Sequence, residues 1–281
     1  MLLRVSEDQP IPTKGTWWRV PLDDCVAFLR EHGNLIDLAR AGIGRTIHEP
    51  RLVKALVAFD QIGAEDQATS EQIASIAASE AAAAFVQREF DSGFTLLHAH
   101  GVVLLWSALE TMVVDLCVAS LRNVPQLLEA DEFRRVRVQF GEFIKLSESE
   151  RLEALLSTAD QSERRQGVAR LEGLLQLVGL EGEMDDPSLR RDLHTLHQIR
   201  NLVAHRRGIV DRHFLSQCQP VGGVLDERLP IDGLMFTRLE MAAIHYVYVV
   251  FNRCCRVYGG TRLVWKFGSD IATPPDAPEA E

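Results

Sequence analysis

The sequence predicts an all-α protein. Long stretches at 93–122, 188–207 and 238–258 place their apolar residues at helical rather than alternating spacing. The pairs Thr69/Gln72, Ser147/Glu150 and Thr237/Glu240 stand three residues apart, as in capping boxes at helix starts. Strand signals are weak: 222–236 reads as loop or a poor hairpin, with a turn at Asp232-Gly233.

Residues 1–20 are expected to be irregular, broken by Pro10, Pro12 and Gly15, with Trp17 and Trp18 docking on the body. A helix spans 21–40, carried by Val26, Leu29, Leu35, Ile36 and Leu38 and weakened by Gly33. A short second helix spans 52–59, and 63–68 is a turn. Thr69 starts a helix that runs to Phe90 through an Ala-rich middle, a composition that favours helix and permits close packing.

The stretch 93–122 is the most apolar. Glu110 and Asp115 lie inside it, so it reads as a buried central helix and not as a membrane span, which needs about 20 residues nearly free of charge. The next stretch, 124–182, is charged and less periodic, with short helices after Ser147 and over 168–178, and is expected to be an insertion with a solvated surface. Beyond the 188–207 helix, 213–218 forms one more turn. The 238–258 helix buries Leu239, Ala243, Tyr246, Val247, Val250, Phe251, Cys254 and Val257 and stops at Gly259-Gly260. Residues 263–267 read as extended, and the Pro-rich tail from Thr273 as disordered.

Composition is that of a globular chain, 46% apolar and 25% charged. A formal charge of −10 and a pI near 5.4 exclude a general basic surface for nucleic acid, so any RNA contact has to be local. Five cysteines without a C-x-x-C pair argue against a disulfide scaffold or structural zinc. With no apolar signal core at the start, the expected compartment is the cytoplasm, with no membrane partner.

The helix at 188–207 carries the chemistry. Asp186 is its expected N-cap, Pro187 its first residue and Gly208 its left-handed C-terminal residue after Arg206 and Arg207. Leu189, Leu193, Leu196, Ile199, Leu202 and Val203 share one arc, while His194, His197, Asn201 and His205 form a polar stripe. Arg200 falls inside the apolar arc, so it needs a carboxylate or a route to solvent. Glu110 is the first choice of partner and Asp115 the second.

Arg200-Asn201-Leu202-Val203-Ala204-His205 resembles the signature of the HEPN superfamily: an Arg, commonly with a polar residue directly after it, then a His after a short spacer. The Gly208–Asp211 run resembles the segment just past the motif in bacterial members. The resemblance covers roughly 91–260, dividing the chain into an N-terminal helical extension (1–90), a HEPN-like helical bundle (91–260, with 124–182 inserted) and a tail (261–281). It implies a dimer in which two motifs form one composite site for metal-independent cleavage of RNA, in a toxin, defence or stress role, with an antitoxin or regulatory protein as a further partner. Arg200, Asn201 and His205 would be catalytic, supported by Glu110, Asp115, His197, Arg206 and Arg207. No cofactor or metal is called for, since the histidine stripe lacks the carboxylate that an H-E-x-x-H helix supplies. His194 and His197 are expected to face solvent or the dimer. The alternative is a catalytically silent HEPN-type module that binds a protein or nucleotide.

Overall fold

The computed structural model describes residues 16–62, 68–161, 165–218 and 221–263. The expectations for 1–15, for the turn at 63–67, for 264–267 and for the tail fall outside them. The described chain is all-α: α1 (Val20–Arg45), α2 (Glu49–Asp60), α3 (Ser70–Asp91), α4 (Thr95–Asn123), α5 (Asp131–Arg134), α6 (Phe140–Phe143), α7 (Glu148–Gln161), α8 (Val168–Leu177), α9 (Pro187–Arg206), α10 (Arg212–Gln217) and α11 (Gly233–Tyr258). Among the described residues the only β pairing is an isolated antiparallel bridge, Ile209 to Arg228.

α4 is the axis of the packing. Val102, Leu105, Trp106, Leu109, Met112, Val113, Leu116 and Leu121 are buried on several of its sides, against α1, α7, α8, α9 and α11. α4 and α11 are long and apolar enough to cross a bilayer by length and composition, and in this fold both line the core.

The first helix belongs to the same core through Leu22, Cys25, Leu29 and Ile36. Trp17 and Trp18 dock on α11, against Tyr258 and Phe251. Gly33 and Gly101 sit mid-helix where helices approach closely: a Cβ at Gly33 would strike Glu240, and one at Gly101 would strike Phe236. α2 and α3 form a hairpin that packs on itself and on the turn at 46–48. The Thr69/Gln72 and Ser147/Glu150 pairs both make their reciprocal capping bonds.

Two expectations are corrected here. α11 begins at Gly233 and not at the expected Arg238, because Asp232, in place of Thr237, caps the helix by accepting from Met235 N at 2.8 Å. The stretch after Val124 is not merely a solvated surface: Leu152, Leu156, Leu171, Leu174, Leu175 and Val178 of α7 and α8 enter the core. Charges interleave with these apolar residues, and some of them, Asp160, Arg170 and Glu172, also turn inward to ion pairs and hydrogen bonds, which dilutes the apolar periodicity in the sequence.

α8 also pins α11. Arg253 is 4% exposed; it donates to Glu172 at 2.8 Å and to the Gly182 carbonyl at 2.7 Å, while Tyr246 donates to the other Glu172 oxygen at 2.8 Å. Glu172→Ala leaves that guanidinium buried without its counter-ion, at a cost of about 3–5 kcal/mol. Urea unfolding of the variant checks this; a loss under about 1 kcal/mol, the range of a surface pair, would contradict it.

Candidate functional site

α9 is built as its sequence requires. Asp186 accepts from Ser188 N at 2.8 Å, Pro187 opens the helix, and Leu189, Leu193, Leu196, Ile199 and Leu202 are buried. At the C-terminus Gly208 is left-handed as expected, and a second left-handed residue precedes it. Gly208 N bonds Leu202 O and Arg207 N bonds Val203 O, a closure one residue wider than the Schellman motif, with Arg207 itself in the left-handed region at φ +56°. Gly208 comes next at φ +79°, one residue before the bridge at Ile209. A left-handed arginine costs on the order of 1 kcal/mol, and that strain lies one residue from the exposed Arg206 and two from His205.

Arg200 is half-buried and meets Glu110, its Nη2 lying 3.5 Å from Oε2. Glu110 also takes Arg170 of α8 on Oε1 at 3.3 Å, and Arg170 Nε donates to Asp160 of α7 at 2.6 Å. On the other side, Arg200 Nη1 donates to Asn201 Oδ1 at 3.0 Å. The Asn201 amide nitrogen lies 3.1 Å from His197 Nε2. A guanidinium can only donate, so the amide oxygen must face Arg200 and the amide nitrogen His197. His197 Nε2 is then the acceptor, and the imidazole is neutral with its proton on Nδ1.

His197 is half-buried, with its ring turned toward the core and one edge on the cavity beside α9. Its ring lies 4.7 Å from that of the buried Trp106, and burial, then the nearby Arg200 and His194, lowers its pKa to about 4. Gly167, the residue before α8, leaves room for it: at φ +58°, a Cβ there would sit 2.8 Å from Nδ1. Trp106, Gly167, Arg170 and Asp160 were not expected at the site. Gly167 and Arg170 stand in the charged stretch with no periodic signal, and Trp106 reads as ordinary core.

Asp115 is not part of this arrangement. It lines a separate groove between α1 and α4 with Asp24 and Cys25, and burial together with Glu153 and Asp24 raises its pKa. Five residues along α4 place it away from Glu110 by rotation alone. His205 is exposed in the last turn of α9, in register with Asn201 one turn earlier. Arg206 donates to Asp211, which also caps α10. Beside the N-terminal half of α9 lies a cavity of about 760 Å³, lined among others by Arg190, His194, His197, Gln198 and Gly167. Among the described residues no three His, Cys, Asp or Glu side chains are grouped to hold a metal.

Compared with protein-family models, curated proteins and solved structures, the chain matches none of them. Its chemistry rests on the residues themselves.

The depressed His197 pKa sets a pH dependence. Between about 6.5 and 4 the unfolded chain binds a proton there that the folded chain does not, so stability is full above 6.5 and falls as the pH drops toward 4. Thermal unfolding across that window should show a shallower decline in His197→Gln than in wild type. Equal slopes would place His197 in solvent.

Proposed function

We propose that the protein is a HEPN-like, metal-independent endoribonuclease whose site is completed by a second copy of the chain. The observation that carries this is the treatment of Arg200. It leaves α9 on the apolar side, yet its guanidinium bonds Asn201, which shares a face with His205. Glu110 and Asn201 engage two of its N–H groups, leaving the others for a phosphate.

In this reading an RNA 2′-OH attacks the adjacent phosphate, and an imidazole takes its proton while a second protonates the departing 5′-oxygen. Histidine has the right ordinary pKa for both steps. One chain exposes one such residue, His205, in the motif, and two-fold pairing supplies the second. Arg200 stabilises the charge on the phosphorane. Arg206, Arg207 and Arg212 are exposed around the helix exit and provide the local basic surface that the net charge denies elsewhere. The cavity beside His194 and His197 would receive a neighbouring nucleotide. A toxin, defence or stress role, with a regulatory partner, rests on the resemblance alone.

The silent-module reading is favoured by one observation. Both ends of the Asn201 amide are committed within the chain, which is the behaviour of a structural residue.

The test incubates wild type, His205→Ala and Arg200→Ala with mixed RNA, with and without EDTA. Wild type should cleave in chelator and leave 2′,3′-cyclic phosphate ends. His205→Ala should be folded and inactive. Arg200→Ala should be inactive and less stable by about 1–3 kcal/mol, below the cost of breaking a lone buried pair, because Arg170 still occupies Glu110. Cleavage that EDTA abolishes, or that persists in His205→Ala, contradicts the assignment. No cleavage by wild type favours the silent module.

A further inference from the structure

The cavity beside α9 gathers polar groups that the cleavage motif does not use. Its volume, about 760 Å³, is that of a small-ligand pocket. Arg190, His194 and His197 stand at i, i+4 and i+7, so they share the face of α9 that continues to Asn201. Arg191 and Gln198 line the same cavity beside them.

Most of these groups are donors that lack an acceptor. Arg190 is steadied by the Met184 carbonyl at 2.9 Å and has no carboxylate partner among the described residues. Arg191 lies 3.6 Å from an Asp192 oxygen that already takes Arg238 at 2.8 Å. His197 Nε2 accepts from Asn201, so the ring proton stands on Nδ1, and that N–H meets no acceptor among the described residues. A Cβ at Gly167 would stand 2.8 Å from Nδ1, 3.0 Å from Cε1 and 3.1 Å from Cγ. Such nearly equal distances place it over the face of the ring, so the direction of the N–H in the ring plane stays clear. Val168 and Ala169, the first residues of α8, also line the cavity, and their backbone N–H groups are unbonded among the described residues. Of the two carboxylates in the lining, Glu172 is engaged by Tyr246 and Arg253, and Glu183 is exposed. Two guanidinium groups and several free N–H donors around one space match the oxygens of a phosphate.

We propose that this cavity is a phosphate-binding site, with Arg190 and Arg191 on the phosphate oxygens and His197 Nδ1–H on an acceptor of the same ligand. The phosphate belongs either to an RNA strand lying along α9 or to a free phosphorylated small molecule; only the first source rests on the ribonuclease reading. From either source the ligand meets a ring whose other nitrogen is bonded to Asn201, and through Asn201 to Arg200. The cavity and the motif thus share one hydrogen-bonded chain, so filling the cavity steadies the orientation of Arg200.

The test uses the full-length His205→Ala chain in chelator, so that added RNA stays intact. Inorganic pyrophosphate is titrated by calorimetry, and the histidine rings are followed by nitrogen–proton NMR. Pyrophosphate should bind, and the His197 Nδ1–H signal should move as it does. Arg190→Gln and Arg191→Gln should each weaken binding several-fold, whereas Arg45→Gln, at the end of α1, should leave it unchanged. All three arginines are exposed, so loss of folding does not confuse the result. A short single-stranded RNA that displaces pyrophosphate assigns the phosphate to RNA; RNA that leaves pyrophosphate in place assigns it to a free small molecule. No binding at millimolar pyrophosphate, equal binding by Arg190→Gln, or an unmoved His197 signal would each overturn the proposal, whether or not wild type cleaves RNA.

Discussion

A carboxylate in the middle of an apolar core helix has to be neutralised, and Glu110 of α4 is neutralised from two sides. Arg170 reaches it from α8 and Arg200 from α9, while Asp160 of α7 balances Arg170. Two carboxylates and two guanidinium groups sum to no net charge, which is the condition under which partly buried ions are tolerated. The set joins four helices at one point. From Arg200 it continues through Asn201 to His197, so the orientation of the motif and the tautomer of a half-buried imidazole both depend on one carboxylate.

The same short helix holds a second network. α8 contributes Arg170 to the Glu110 cluster and Glu172 to the buried Arg253 and Tyr246 of α11. Its position is thereby fixed against α4, α9 and α11 together, and Gly167 before it closes over His197. The half of α9 near Arg200 is thus rigid and internally satisfied, whereas its last turn ends in an exposed histidine and a strained arginine. That division suits a site in which one end positions a cation and the other meets a ligand or a second chain.

Much of the architecture was legible because it obeys local rules. The apolar arc of α9 emerges buried, Asp186 caps it, and Glu110 meets the arginine that had no place on that arc. Where local rules compete, the sequence misleads. Thr237 carries the capping pattern in the sequence, yet Asp232, which reads as part of a turn, caps the helix. Asp115, second choice as partner for Arg200, lies about 140° around α4 from Glu110; it faces a groove shared with α1, while α9 reaches Glu110. His197 reads as facing solvent or the dimer because the wheel cannot show that Trp106 of α4 and Gly167 lie against it.

The central claim is that Arg200 and Glu110 form one coupled unit. A double-mutant cycle with Arg200→Gln, Glu110→Gln and the double variant, read by chemical unfolding, measures that directly. Both side chains are mostly shielded, at 29% and 28% exposure, so the coupling should be about 1–2 kcal/mol, above the range of an open surface pair. Additive single effects, with coupling near zero, would mean that Arg200 is held by packing alone and that Glu110 does not organise the site.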